Sequence, residues 1–157
     1  MSETIRIVSA GSDRDAYLSL LLLADDSESE VRAYYQQGDL YSFDDRDRRP
    51  LGVTLVLPRG DGSVELKAVA VEADRHGEGI GRRMLAAVLA DLGTRAVTNV
   101  VVGTANSGVG ELAFYQKCGF RLWKIERDYF SPARGYPEGL AENGIPVRDM
   151  VWMDQHL

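Results

Sequence analysis

Apolar positions along this chain follow two spacings, and the switch from one to the other marks out its elements. From Ile80 onward, Ile80, Met84, Leu85, Val88, Leu89 and Leu92 fall on one face of a helix that should end near Gly93. Just upstream, Val64 to Val71 is a run of strand length rich in β-branched residues. Between the two lie glycines at alternate positions, Gly77, Gly79 and Gly81. The pattern predicts a strand, a glycine loop and a helix, and the rest of the chain is arranged on either side of this unit.

Upstream, Thr4 to Val8 alternates as a first strand. Ser12 followed by Asp15 resembles a capping box and predicts a helix to about Asp25; Ser27 opens a second, closed by Gly38. Tyr34 and Tyr35 on that second helix read as half-buried packing residues. Leu40 to Phe43, Gly52 to Leu57 and Val64 to Val71 are strands separated by turn compositions, Asp61-Gly62 among them. Downstream, Ala96 to Thr104 reads as a strand, and Asn106 or Ser107 caps a helix through Lys117. Gly119 sits where a helix end favours a left-handed residue. Phe120 to Tyr129 and Val147 to Met153 complete the strands, with a Pro- and Gly-rich loop from Phe130 to Asp149 between them.

Composition narrows the class. A chain of 157 residues, 45% hydrophobic and 27% charged, suits a single globular domain with its own core. The longest apolar run near the start, Leu20 to Ala24, is too short to cross a membrane and no basic segment precedes it, so a cytoplasmic protein without a membrane partner is expected. A net charge of -6 argues against a nucleic-acid partner. One cysteine and two histidines leave no disulfide and no cluster spaced for a metal.

The glycine loop is where chemistry enters. A helix start leaves backbone N–H groups unpaired and carries partial positive charge, and glycines let the chain approach phosphate oxygens closely. Counting separates the phosphate motifs. The dinucleotide fingerprint fails in both registers, placing Arg82 or Met84 where its third glycine belongs, and a P-loop fails because Arg82 and Arg83 follow Gly81. The spacing of His76, Gly77, Glu78, Gly79, Ile80 and Gly81 resembles the R/Q-x-x-G-x-G/A signature of the GNAT superfamily of N-acetyltransferases. His76 departs from it, standing where the family has Gln or Arg. A second block, Thr104 to Phe120, resembles the family's strand-Asn-helix segment ending in F-Y-x-K-x-G-F, here Phe114 to Phe120.

That resemblance covers nearly the whole chain and implies an α/β (α+β) GNAT fold, a mixed and mostly antiparallel sheet of about seven strands flanked by about four helices. It implies acetyl-CoA as cosubstrate, with the pyrophosphate held by His76, Gly77, Glu78, Gly79, Ile80, Gly81 and Arg82. The strand main chain at Val69, Ala70 and Val71 would polarise the thioester and pair with the pantetheine arm. Asn106 matches a position that bonds the CoA arm; as a helix cap it would look the same. Tyr115 matches the family's general acid, a phenol that is protonated at neutral pH. Cys118, with no histidine near it in sequence, reads as a small packing residue rather than a nucleophile.

The base is less constrained. Glu65 matches a glutamate base of one branch of the family, and unbroken alternation puts it on the face of Val69 and Val71; Glu72, Glu126 and Asp128 compete, and a water chain would serve as well. Tyr136, Glu138 and Glu142 on the long loop are acceptor-side candidates. The function implied is acetyl transfer from acetyl-CoA to a primary amine of a small molecule or peptide, in a ternary complex and without a metal. A non-catalytic CoA-binding module and use of a longer acyl-CoA are the rivals. Assembly is left open, with a homodimer as one form.

Overall fold

The computed structural model describes residues 3–25 and 27–157. The chain divides into two compact units, one running up to Thr98 and including Leu157, the other Asn99–His156.

In the first unit β1 (Thr4–Val8), β2 (Asp39–Asp44), β3 (Pro50–Pro58) and β4 (Ser63–Val71) pair in that order, all antiparallel. One face is covered by α1 (Leu18–Ala24) and α2 (Glu28–Tyr34): Leu20, Leu21, Val31 and Tyr34 pack with Val8, Leu40, Val53, Leu55, Ala68 and Ala70. Helix α3 (Ile80–Thr94) buries Ile80, Met84, Leu85, Val88 and Leu92 of the face its apolar spacing predicts, while Leu89, expected with them, is half-buried. Each such side chain stabilises the fold by roughly 2 kcal/mol. Asp91 on α3 accepts a hydrogen bond from Tyr41 Oη of β2 at 2.5 Å.

The predicted capping box at Ser12 does not form. Ser12–Tyr17 is a 3-10 turn preceding α1, Gly11 stands at its start, and no side chain caps it. Asp15, a methylene shorter than the glutamate such a box uses, instead accepts from Tyr35 Oη at 2.7 Å. The segment is held by Arg14, buried to 2% exposure, whose guanidinium donates to the carbonyls of Val8, Tyr35, Gln37 and Gly38 at 2.8 to 3.1 Å. At Ser27 the predicted cap is present: its hydroxyl accepts from Glu30 N at 3.3 Å.

A one-residue irregularity in β4 overturns the alternation expected for Glu65. The register pairs Leu57 with Glu65 and Val56 with Leu66, passes over Lys67, and resumes with Leu55 opposite Ala68 and Thr54 opposite Val69. Paired residues share a face, so this bulge reverses the strand's facing at Lys67. Glu65 therefore lies on the α1/α2 face with Leu57, Ala68 and Ala70, opposite to Val69 and Val71. Lys67 itself places its ammonium 5.2 Å from the ring centre of Tyr34 on α2.

In the second unit β5 (Asn99–Ala105) and β6 (Arg121–Glu126) both pair antiparallel with β9 (Met150–His156). Strand β5 starts later than predicted because Ala96, with φ of 62°, still belongs to the turn after α3. Strand β6 stops at Glu126, ahead of Asp128 with φ of 59°. Helix α4 (Val109–Lys117) has Gly108 at its N-cap and no side-chain cap, so neither Asn106 nor Ser107 plays that part. The long loop holds a 3-10 turn at Pro132–Arg134 and a small hairpin, β7 (Ala141–Glu142) with β8 (Ile145–Pro146). Val147, Arg148 and Asp149, predicted to open the last strand, have their N–H groups on Leu140 O and Asn106 Oδ1 instead.

Candidate functional site

The glycine loop turns its backbone sharply into the start of α3. Gly77 and Gly79 have φ of 89° and 74°, a region that side chains disfavour, and Gly79 is the N-cap of α3. Arg83 N is the first helical donor, to Gly79 O at 3.2 Å; among the described residues no main-chain acceptor takes the N–H groups from Gly77 through Arg82. These amides and the helix start form a cradle of the kind phosphates occupy.

The side chains around the cradle divide by what they already hold. Arg83 bonds Glu3 through Nε and Nη2 at 2.9 and 3.0 Å and donates to Glu78 O at 2.9 Å. Arg75 pairs with Glu78 at 2.8 Å and holds its carboxyl below the usual range. Arg82 is exposed and, among the described residues, has no hydrogen bond or ion pair. His76 Nε2 lies 3.0 Å from Val71 O and donates to it, since a carbonyl can only accept. That bond ties the loop to the end of β4. Ile80 is buried in the core, so only its amide can serve a ligand.

On β4 itself, Glu72 N donates to Leu51 O of β3 at 2.9 Å. Alternation along a strand then turns the N–H groups of Val71 and Val69 toward the edge away from β3, and that of Ala70 toward it. Glu65 is half-buried, and burial raises its carboxyl pKa, offset in part by Lys67 and Arg59.

In the second unit, Tyr115 on α4 is 8% exposed, and burial, then Glu111 and Cys118, raise its phenol pKa. Among the described residues its hydroxyl has no hydrogen-bond partner. Its position comes from the helix end. Phe120 N donates to Tyr115 O and Gly119 N to Gln116 O, both at 3.0 Å, with Gly119 at φ 100°. This is the paired 6→1 and 5→2 closure that a glycine at C′ permits.

Asn106 is placed by a different part of the chain than the sequence suggests. Its Oδ1 accepts from Arg148 N and Asp149 N at 2.9 and 3.0 Å, and its Nδ2 donates to Pro146 O at 3.0 Å. Ser107, fully buried, donates to Glu142 Oε1 at 3.1 Å, while Asn143 Nδ2 donates to Ser107 O at 3.0 Å. The pair fastens the small hairpin to the start of α4, with one oxygen of the Glu142 carboxylate engaged.

The residues from Leu22 to Leu122 match a family model described as an acetyltransferase (GNAT) domain. The chain belongs to the GNAT acetyltransferase family. This GNAT chain is 34% identical over 149 residues to YvbK of Bacillus subtilis, an N-acetyltransferase by name, covering 95% of this chain and 94% of that one. Among solved structures it resembles the IAA acetyltransferase from Bacillus cereus, 36% identical with a TM-score of 0.85, over 99% of this chain and 100% of that one. It also resembles a GNAT family acetyltransferase from Elizabethkingia anophelis with acetyl-CoA bound, 33% identical with a TM-score of 0.87, over 99% of both chains. The fold is the α/β GNAT fold, with four α-helices among the described residues and mostly antiparallel strands. CoA binding and acetyl transfer follow for this GNAT chain at the level of the family.

Sequence reasoning about this GNAT chain missed the Asn106–Ser107 fastening and the engagement of Arg83. The partners of Asn106 and Ser107 lie 35 to 43 positions away, and the Glu3 partner of Arg83 lies 80 away. No local pattern announces contacts at those separations.

Proposed function

We propose that this protein is an acetyl-CoA-dependent N-acetyltransferase that acts on a primary amine of a small molecule or peptide by direct transfer. The observation that carries the reading is the run of amides from Gly77 to Arg82 at the start of α3 that have no main-chain acceptor among the described residues, in a chain of the GNAT family.

The residues fit such a donor. The amides of Gly77, Glu78, Gly79, Ile80, Gly81 and Arg82 receive the pyrophosphate, and Arg82 adds a charged donor at the rim. His76 braces the loop on Val71 O. The N–H groups of Val69 and Val71, turned to the edge of β4 away from β3, bond the pantetheine arm and polarise the thioester carbonyl, with Ala70 holding the strand on β3. Asn106 keeps one amide hydrogen for the CoA arm beside its bonds to Pro146, Arg148 and Asp149.

Acetyl-CoA supplies an activated acyl group; the protein supplies proton transfers. Tyr115 gives its hydroxyl proton to the departing thiolate, and its raised pKa keeps that proton in place across the neutral range. Glu65 takes the proton of the attacking ammonium, directly or through water; burial raises its basicity. No step calls for a metal. The reading places the reaction in the cytoplasm, in keeping with a chain in which no described helix is long and apolar enough to cross a membrane.

Thermal unfolding with acetyl-CoA, using NAD and ATP as controls, tests this. A ligand at about a hundred times its dissociation constant adds roughly 2.7 kcal/mol, a rise of about 5 to 10 °C for a domain of this size. A rise with acetyl-CoA alone, followed by amine-dependent release of CoA thiol, is the expected result. An equal rise with NAD or ATP, or no rise at all, overturns the reading.

A further inference from the structure

The loop between β6 and β9 encloses a groove of about 480 Å³, walled by Phe130, Pro137, Leu140 and Val147 and carrying Glu138 and Arg148. Its walls are fixed by the fold. Phe130 meets Tyr136 edge-on at 5.0 Å, Phe130 N donates to Arg148 O and Val147 N to Leu140 O, each at 2.9 Å. Asn106 holds the far side through Pro146, Arg148 and Asp149. A groove set in this way needs little ordering when a ligand arrives.

The charges of the loop sort themselves. Arg134 pairs with Glu126 at 3.0 Å and stacks on Tyr129, Glu142 accepts from Ser107, and Asp149 accepts from Asp128 N at 2.9 Å. Of the charged side chains from Arg127 to Asp149, Glu138 and Arg148 are the two that line the groove, and neither has a side-chain hydrogen bond or ion pair among the described residues. An apolar channel with one unpaired carboxylate and one unpaired guanidinium is complementary to a molecule carrying both charges on an apolar body.

We propose that this groove binds an apolar α-amino acid, free or at the start of a short peptide, its carboxylate or first carbonyl on Arg148, its amino group beside Glu138 and its side chain on Phe130, Pro137, Leu140 and Val147. The guanidinium fork matches a carboxylate in two-point geometry, and a carboxylate receives an ammonium. This deepens the acetyltransferase reading and rests on it, since the ligand carries a primary amine of the class that reading acetylates.

The test is calorimetric titration of the whole protein with L-phenylalanine, phenethylamine, 3-phenylpropionate and spermidine, and separately with acetyl-CoA. Phenylalanine is expected to bind about tenfold or more tightly than the two analogues that each lack one charge. Arg148→Gln should abolish the preference over phenethylamine, and Glu138→Gln the preference over 3-phenylpropionate, with circular dichroism confirming that both variants are folded. Spermidine or phenethylamine binding as tightly as phenylalanine overturns the proposal, as does acetyl-CoA binding with none of the four amines and acids bound. Failure of acetyl-CoA alone to bind overturns the acetyltransferase reading instead and leaves the amino-acid groove standing.

Discussion

Phe120 reaches back over one helical turn to Tyr115: its N–H bonds the Tyr115 carbonyl at 3.0 Å while the two rings meet edge-on, 5.8 Å apart and 77° from coplanar. Main chain and ring of Tyr115 are thus fixed from the helix end, while the hydroxyl has no hydrogen-bond partner among the described residues. The spacing of Tyr115, Gly119 and Phe120 has a structural cause independent of catalysis, and the two can be separated by substitution.

Tyr115→Phe keeps the carbonyl bond and the ring contact and removes only the proton donor. Turnover should fall by about a hundredfold or more, with the acetyl-CoA-induced rise in melting temperature retained. Steady-state kinetics beside thermal unfolding reads both quantities, and unchanged turnover would remove Tyr115 from the mechanism.

Gly119→Ala attacks the positioning instead. A side chain at φ 100° is strained, and its Cβ would come within 2.7 Å of Gln155 Nε2. Urea unfolding should show a loss of about 1 to 2 kcal/mol. A stability equal to that of the parent protein would show that the helix end does not depend on this closure.

Glu65→Gln tests the base and carries a pH signature. Burial raises the folded pKa of Glu65 above its usual 4.5. Between the unfolded and folded pKa values the native state holds more protons than the unfolded chain, so stability falls as pH rises through that window. The glutamine variant lacks this loss; its melting temperature relative to the parent should be higher at pH 7 than at pH 4, while its turnover drops. A difference independent of pH would mean that Glu65 titrates as an ordinary solvated carboxyl.

Arg82 and Arg83 are neighbours in sequence, but among the described residues only Arg83 has partners, Glu3 and the Glu78 carbonyl. Arg82→Ala should weaken acetyl-CoA binding by about fivefold to tenfold at low salt, less at high salt. Arg83→Ala, which loses Glu3 and the Glu78 carbonyl, should lower the melting temperature first. Calorimetry at two ionic strengths distinguishes them, and equal loss of affinity in both variants would contradict the division.

What could be read in advance tracks the range of the interactions involved. Strand β1, the Ser27 cap, most of the apolar face of α3 and the left-handed Gly119 depend on residues within a few positions of one another, and each is found where the pattern puts it; of the three loop glycines Gly77 and Gly79 take positive φ, while Gly81 lies within α3. The facing of Glu65 depends on a single extra residue, Lys67, whose identity gives no sign that it stands out of register. Asn106 is a good cap by type, yet three main-chain groups of the distant 146–149 segment take its amide. The last strand starts at Met150 rather than Val147 for the same reason: local β propensity yields to hydrogen bonds from the Arg148 and Asp149 N–H groups to an acceptor far along the chain, Asn106 Oδ1.

Arg14 binds four carbonyls at once, three of them from Tyr35, Gln37 and Gly38 where α2 gives way to β2. Only a guanidinium has donors enough, and planar enough, for that set; a lysine at the same place would leave acceptors stranded in the interior. The connection from α2 to β2 is therefore inherited together with a residue more than twenty positions before it, and no length change in that connection is neutral unless the four carbonyls still converge on one point.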